Sequence, residues 1–384
     1  MIKSIEIKNF KSIIDSGVIH LPSFGAIVGC NASGKTNLIQ SLNFIKLLAS
    51  GLSITDAQRH ICLVPNELFN LNLPANQLTI RIEMQDLKNN EYRFELTIEL
   101  KSDISIDNNF KIIYEKLEKK DNNSEEHYDI IYERDPSQFK GKDGPIPLKV
   151  DSETLAITVY DNKDTIDAKQ HLSSIVITEQ KVTDNRDSIV SYKDNNLAGL
   201  IVRFMSGDEN DNYKNFIDIT SKILENFSSF NEVKPRYKGK NVSNGDRISL
   251  VMLEEHNVAG QLSMQSLSLG DLRTMYFIAK SLDLREGASL FIEEIENGMH
   301  PNRLKNLLDH LDNISHRKHI QTIFTTHSPN VIDHLKPQDI ILTYKDKIHG
   351  TKYQRIDSHK DSAAISNFLD KGGSLFEYLS TRFD

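Results

Sequence analysis

The sequence predicts an α/β protein of two lobes, with mixed and parallel sheet, an antiparallel β-meander and a short helical insertion. Three observations carry that expectation. A chain of 384 residues can bury one large core or two modest ones. A short apolar run, Ala26-Ile27-Val28, enters a glycine-rich turn, and a segment of helical periodicity leaves it. Two later apolar runs, Ser289 to Ile292 and Gln321 to Thr326, each end in polar residues able to carry chemistry.

The turn holds the densest signal. Gly29-Cys30-Asn31-Ala32-Ser33-Gly34-Lys35-Thr36 fits the phosphate-loop pattern GxxxxGK[ST] at every fixed position. Leu38, Ile39, Leu42, Ile45 and Leu48 then share one helical face. The motif needs this context mechanically: glycines let backbone amides curl inward, and the helix N-terminus adds partial positive charge facing the phosphate. Lys35 would reach the β- and γ-phosphates of ATP, and Thr36 would set its hydroxyl on Mg²⁺. The loop residues and Asn37 are the expected nucleotide-binding positions.

Composition narrows the class. The formal net charge of -8 argues against broad attraction to nucleic acid or anionic membrane, while leaving room for a local basic groove. No run of 18 apolar residues occurs, and Met1 to Phe10 alternates like a strand, so neither a membrane span nor a signal peptide is expected. Cys30 lies inside the phosphate loop and Cys62 has no motif neighbour, which excludes a disulfide framework and a zinc site. A reducing cytoplasm is the natural compartment.

Along the chain, Ile5 and Ile7 alternate with Glu6 and Lys8 as a half-buried strand, and a second strand follows near Gly17 to Leu21. Gly51 to Ala75 reads as irregular wrapping. Leu78 to Met84 and Tyr92 to Leu100 alternate around a turn-like Lys88 to Glu91, giving a hairpin. Lys111 to Lys116 and His127 to Glu133 extend it to a meander, and Asp135 to Pro147 reads as an exposed loop. Leu155 to Tyr160 and Ser174 to Thr178 are strand candidates; Leu197 to Met205 and Asn215 to Phe227 are helix candidates. No long heptad pattern and no internal repeat occurs. The expected domains are an N-terminal lobe over 1–180, a helical or irregular insertion over 181–245, and a C-terminal lobe over 246–384.

Three motifs in that last segment are ones a phosphate loop needs. Ser289 to Ile292 ends in Glu293-Glu294, as the acidic strand of a nucleotide hydrolase should. Glu293 would hold Mg²⁺ through water and Glu294 would polarise the attacking water. Asp is the usual first residue, so Glu293 is a departure whose longer stem could loosen the metal geometry. Leu267-Ser268-Leu269-Gly270 opens an apolar-periodic segment, where a serine and a glycine at a helix start build an anion site. Thr325-Thr326-His327-Ser328-Pro329 ends the last strand, and His327 could donate a hydrogen bond to the γ-phosphate or the water.

Together, the phosphate loop, the Leu-Ser-x-Gly start, the acidic strand and Thr-His-Ser-Pro resemble the ABC-type ATPase heads of the RecF and SMC group, which are P-loop NTPases. Ile7-Lys8-Asn9-Phe10-Lys11-Ser12 and Glu293-Glu294-Ile295-Glu296-Asn297-Gly298-Met299-His300-Pro301 look, more narrowly, like the RloA-like and overcoming-lysogenisation-defect ATPases of anti-phage defence. The resemblance spans the chain and is weakest between about 50 and 245. In such heads two subunits bind ATP between them, which implies a homodimer or higher homo-oligomer. Ser268 and Gly270 would then contact the γ-phosphate in trans, Glu294 would be the base and His327 the switch histidine. Asn297 to His300 would cross to the partner. The resemblance also puts Lys11 near the ribose or adenine, and makes Gln180 the candidate for the glutamine that senses Mg²⁺.

A nuclease of the overcoming-lysogenisation-defect type would need a Toprim domain of about a hundred residues. The segment 328–384 offers no room for one, so a separate effector polypeptide, nuclease or toxin, is expected to supply the output. The leading expectation is thus an ATP-hydrolysing sensor or motor of a defence complex. A RecF-like DNA repair or DNA-clamping ATPase is the alternative, and an ATP-binding scaffold with little turnover a third.

Overall fold

The computed structural model describes residues 1–101, 109–121, 127–178, 189–191, 195–206, 210–225, 227–233, 248–346, 350–356 and 359–381. The chain divides into two compact units: Met1–Ile177 with Glu286–Phe291 and His319–Asp384, and Thr178–Arg285 with Ile292–Lys318. Both are discontinuous in sequence, and segment 246–384 contributes to each.

In the first unit, β1 (Ile2–Phe10) and β2 (Ile13–His20) pair antiparallel, with Lys11 between them in the left-handed region at φ 49°. Strand β3 (Phe24–Val28) is buried throughout and feeds the glycine-rich turn, from which α1 (Lys35–Ala49) leaves. The predicted apolar face of α1 is inside, with Leu38, Leu42 and Ile45 wholly excluded from solvent. Gly51 to Ala75 is more regular than expected. It holds α2 (Ile54–Ile61), whose N-cap Ser53 accepts the amide of Asp56 at 3.1 Å, and a 3₁₀ turn over Pro65–Leu68. Buried Ile54 and Ala57 dock the helix, and Asn9 fixes the chain beyond it by bonding Ala75 O, Gln77 O and the amide of Asn70.

The meander follows the alternation of the sequence: β4 (Gln77–Gln85), β5 (Glu91–Leu100), β6 (Phe110–Lys120) and β7 (Tyr128–Arg134) pair in turn, all antiparallel. The stretch expected to be an open loop adds two short strands, β8 (Phe139–Gly141) and β9 (Gly144–Pro145). Where Leu155 to Tyr160 reads as a strand, the structure has a 3₁₀ turn over Ala156–Thr158. The cause is tertiary: the buried carboxylate of Glu115 accepts the amides of Ala156 and Ile157 at 2.8 and 3.2 Å and the Tyr132 hydroxyl at 2.7 Å. Amides converging on one side chain cannot also run along a strand ladder. Helix α3 (Lys163–Ser173) and β10 (Ile175–Thr178) complete this stretch.

The second unit opens with β11 (Ile189–Ser191), α4 (Leu197–Ser206) and α5 (Asn210–Ile223). Its insertion is not only helical. The helix expected over Asn215 to Phe227 ends at Ile223, and β12 (Phe227–Val233) follows, pairing with β13 (Ile248–Glu255). A register shift between Phe227 and Ser229 turns Phe227 and Phe230 to one side, both buried with ring centroids 4.8 Å apart. Only Phe227 of this strand falls within the predicted helix, and the rest lies in the segment expected to be helical or irregular. Strand β14 (Leu262–Ser263) and α6 (Leu269–Asp283) come next.

The chain then lays β15 (Ser289–Ile292) into the first sheet, forms α7 (Pro301–Arg317) in the second unit, and returns with β16 (Gln321–Thr326), α8 (Pro329–Ile332), β17 (Ile340–Asp346), β18 (Gly350–Arg355), α9 (His359–Asp370) and α10 (Leu375–Ser380). Among the described residues the first sheet has fourteen strands in the order β10-β15-β16-β3-β17-β18-β2-β1-β4-β5-β6-β7-β8-β9. Strands β16, β3 and β17 are parallel, and from β18 onward the pairings are antiparallel. Buried Gln321 clamps the parallel end: its Oε1 accepts from Ile2 N and Ser289 Oγ, and its Nε2 donates to Ile2 O and Pro22 O. All four amide valences are used.

Within the second unit, His310 of α7 meets Ser281 Oγ of α6 at 3.1 Å. Burial, helped by the nearby Arg317 charge, lowers its pKa to about 4. Between that value and the ordinary pKa of 6.5 the unfolded chain binds a proton that the folded chain refuses, so stability is present above 6.5 and falls as pH drops toward 4. The expected slope is at most about 1.4 kcal/mol per pH unit. Urea unfolding at pH 7 and pH 5 should therefore show wild type losing about 2 kcal/mol more on acidification than His310→Gln. Equal losses would contradict the assignment.

Candidate functional site

The phosphate loop is shaped by contacts that only its glycines permit. A Cβ on Gly29 would lie 2.2 Å from Thr343 O and 2.7 Å from Ser33 Oγ, and one on Gly34 2.5 Å from Thr351 Oγ1. Ala32 and Gly34 are left-handed, at φ 61° and 106°. The chain between them therefore curls back, and Ser33 N donates to Cys30 O at 3.2 Å. Lys35 is buried and its ammonium bends over the loop, donating to Gly29 O at 2.7 Å and Cys30 O at 2.8 Å. Cys30, Asn31, Ala32 and Thr36 are exposed around it.

Three features fit a phosphate. Helix α1 begins at Gly34 with no side-chain cap and no acidic residue in its first turn, so the helix itself supplies no anion to its dipole and first amides. Ser33 Oγ is buried without a hydrogen-bond partner. The Lys35 ammonium, bent over the loop, supplies the positive charge. Thr36 follows with an exposed hydroxyl suited to Mg²⁺, and among the described residues no cluster of three or more His, Cys, Asp or Glu could hold a metal by itself. Asn37 turns away instead, donating to Ser12 Oγ at 2.5 Å.

Sheet register brings His327 to the same edge. Thr326 is paired with Val28, the last residue before Gly29, so β16 and β3 end level and His327 emerges exposed beside the loop's start. Lys11 behaves otherwise. Its Nζ donates to Gln40 Oε1 at 2.6 Å and Ile61 O at 3.3 Å, and burial pushes its pKa below the usual lysine range. Gln180 lies outside the described residues.

The remaining expected residues sit in the second unit. Ser268 caps α6: its Oγ accepts the amide of Asp271 at 3.1 Å and donates to Asp271 Oδ2 at 2.7 Å, while Arg303 of α7 binds the same carboxylate. Gly270 is buried, and a Cβ there would lie 2.3 Å from Gly298 O. The glycine is thus required by the packing of α6 against the loop that carries Gly298. Arg273, which sequence reasoning passed over, is 2% exposed and donates to Asn297 O at 3.0 Å and Glu293 O at 3.5 Å. It ties the start of α6 to the loop that carries the acids. On that loop Glu293 is half-buried, and exposed Glu294 is left-handed at φ 47°, a conformation that costs a non-glycine residue about 1 kcal/mol. Strain held at an acidic residue is a mark of functional loops. No pattern in the sequence singles out Arg273, because its partners are main-chain carbonyls.

Residues 24–333 match the AAA_21 family, described as "AAA domain, putative AbiEii toxin, Type IV TA system". A protein of Helicobacter pylori (strain ATCC 700392 / 26695) named "ATP/GTP phosphatase" is 23% identical over 369 residues, covering 92% of this chain and 91% of that one. Among solved structures, the Smc head domain of Pyrococcus furiosus with an extended coiled coil, bound to the C-terminal domain of ScpA, aligns over 96% of this chain and 99% of its own at 13% identity and a TM-score of 0.56. The SMC head domain of Thermotoga maritima aligns over 93% and 99% at 14% identity and a TM-score of 0.43. The Pyrococcus domain shows the fold to be that of an SMC-type ATPase head. With the phosphate loop intact and the family model spanning most of the chain, the protein belongs to the AAA_21 family and is a P-loop ATPase.

Proposed function

We propose that this ATPase dimerises through its nucleotide, each ATP lying between the phosphate loop of one copy and the Ser268 helix start of the other, and that this switch drives a separate effector in anti-phage defence. The observation that carries the proposal is the contrast between two helix starts. Helix α1 begins uncapped over an open cradle, whereas α6 begins at an exposed serine occupied by its own Asp271. The first suits an anion bound within the chain. The second suits a half-site that opens when an outside phosphate competes with Asp271, whose carboxylate Arg303 would retain.

Roles follow from chemistry. Lys35 would leave the carbonyls of Gly29 and Cys30 for the β- and γ-phosphates. Mg²⁺, when bound, neutralises phosphate charge, and Thr36 and Glu293 are its proposed holders. Glu294 would orient and deprotonate the attacking water, and His327 would donate a hydrogen bond at the γ-phosphate. The defence role is supported by the family description, which names a toxin of a toxin–antitoxin system, and a partner polypeptide by the ScpA domain bound to the Pyrococcus head.

A mixing experiment tests the composite site. Lys35→Ala and Ser268→Arg should each lower phosphate release at least about a hundredfold alone. Mixed in equal amounts they should regain about a quarter of wild-type turnover, because half of random dimers hold one intact site of two. No recovery in the mixture would contradict ATP bound between copies. For the defence role, phage should form fewer plaques on hosts carrying wild type than on hosts carrying Lys35→Ala, and equal counts would count against it.

A further inference from the structure

The phosphate loop is anchored from behind by side chains that no motif marks. Asn37 Nδ2, which can only donate, bonds Ser12 Oγ at 2.5 Å; Ser12 Oγ lies 2.6 Å from Thr351 Oγ1; and Thr351 Oγ1 donates to Ser33 O at 3.2 Å. With a donor at one end and a carbonyl at the other, the chain of hydroxyls has a single direction. One strand position further, Tyr353 OH donates to Gly34 O at 2.9 Å. Strand β18 itself is locked to the β1–β2 turn by the amide of Thr351 on Ser12 O at 2.9 Å.

Peptide planarity turns these bonds into a statement about the loop's mouth. In a trans peptide the C=O and N–H point opposite ways. The carbonyl of Ser33 shares its peptide with the amide of Gly34, and that of Gly34 with the amide of Lys35. Holding both carbonyls against β18 therefore aims the N–H groups of Gly34 and Lys35 away from β18. Those are two of the donors a phosphate would use.

We propose that Thr351 and Tyr353, with Ser12 behind Thr351, are positioning residues that hold two amides of the phosphate loop in their anion-binding orientation. The inference rests on the reading of Gly29 to Thr36 as the phosphate site. It assigns the anchors to the phosphates alone, because their hydrogen bonds to the loop reach it at the carbonyls of Ser33 and Gly34. Losing one should weaken a bare polyphosphate as much as a nucleotide, whereas a contact to base or sugar would spare the polyphosphate.

The test is calorimetric titration of wild type, Thr351→Val, Tyr353→Phe, the double variant, Thr351→Ser and Lys35→Ala with Mg-ATP and with tripolyphosphate. Thr351→Val and Tyr353→Phe should each weaken both probes about fivefold, by the same factor for each probe, as loss of one hydrogen bond predicts. Thr351→Ser, which keeps the hydroxyl, should stay within about twofold of wild type. Circular dichroism establishes that each variant is folded when titrated, so a weaker Kd reports the site. Unchanged binding by the folded double variant, with Lys35→Ala losing both probes, would overturn the positioning role and leave the phosphate site standing. Loss of ATP binding with tripolyphosphate unaffected would also overturn it. Failure of wild type to bind either probe would overturn the phosphate-site reading and this inference with it.

Discussion

Everything in the first unit that bears on nucleotide depends on one close approach: the backbone at Gly29 lies so near Thr343 O that no side chain fits between them. Strand β17 is parallel to β3 and its register pairs Leu342 with Val28, so the contact is delivered by the sheet itself. Strand β16 flanks the other side with Thr326 level with Val28. The loop is thus framed by two parallel neighbours and held by β18, where Thr351 Oγ1 donates to Ser33 O, while buried Gln321 pins the start of β16 to Ile2 and Pro22. A loop whose amides must converge without bound ligand needs such a frame, because unpaired backbone donors otherwise turn toward water or toward each other.

In the second unit the chemistry is organised by contact between a helix start and a loop. Gly270 packs its bare Cα on Gly298 O, Thr274 Oγ1 bonds Gly270 O at 2.7 Å, and Arg273 reaches the carbonyls of Glu293 and Asn297. Ser268 and the two acids are consequently tied to one another through main-chain atoms. If a phosphate from another copy binds at the first, its free energy is felt at the others. In the proposed dimer, the same linkage would make hydrolysis, which removes the γ-phosphate, weaken association.

Much of this was legible in the sequence, for reasons that differ by element. The phosphate loop and α1 are fixed by residue types that cannot be exchanged, two glycines at close approaches and an apolar face repeating at helical period. The meander is written in strict alternation from Leu78 to Leu100. What could not be read has physical causes. Strand β12 lies in the segment expected to be helical or irregular, and a register shift between Phe227 and Ser229 breaks the alternation that marks a strand. The turn at Ala156 is imposed by Glu115, whose carboxylate comes from a distant strand. Thr351 and Tyr353 look like an ordinary alternating edge, since their partners Ser33 and Gly34 lie more than 300 residues away. Ser268 was read as part of an anion site at a helix start, and its hydroxyl caps α6 through Asp271. Lys11 carries a resemblance to a nucleotide-contacting lysine, yet its ammonium is engaged by Gln40 and Ile61.

The central claim is that ATP held on the phosphate loop draws a second copy onto the opposite face of its triphosphate. The most direct measurement is the molar mass in solution, by light scattering, of Glu294→Gln with and without Mg-ATP. With Glu294 as the proposed base, slow turnover in this variant would keep the nucleotide intact. The account predicts monomer mass without nucleotide and twice that mass with it. A mass that is the same in both conditions would contradict the account.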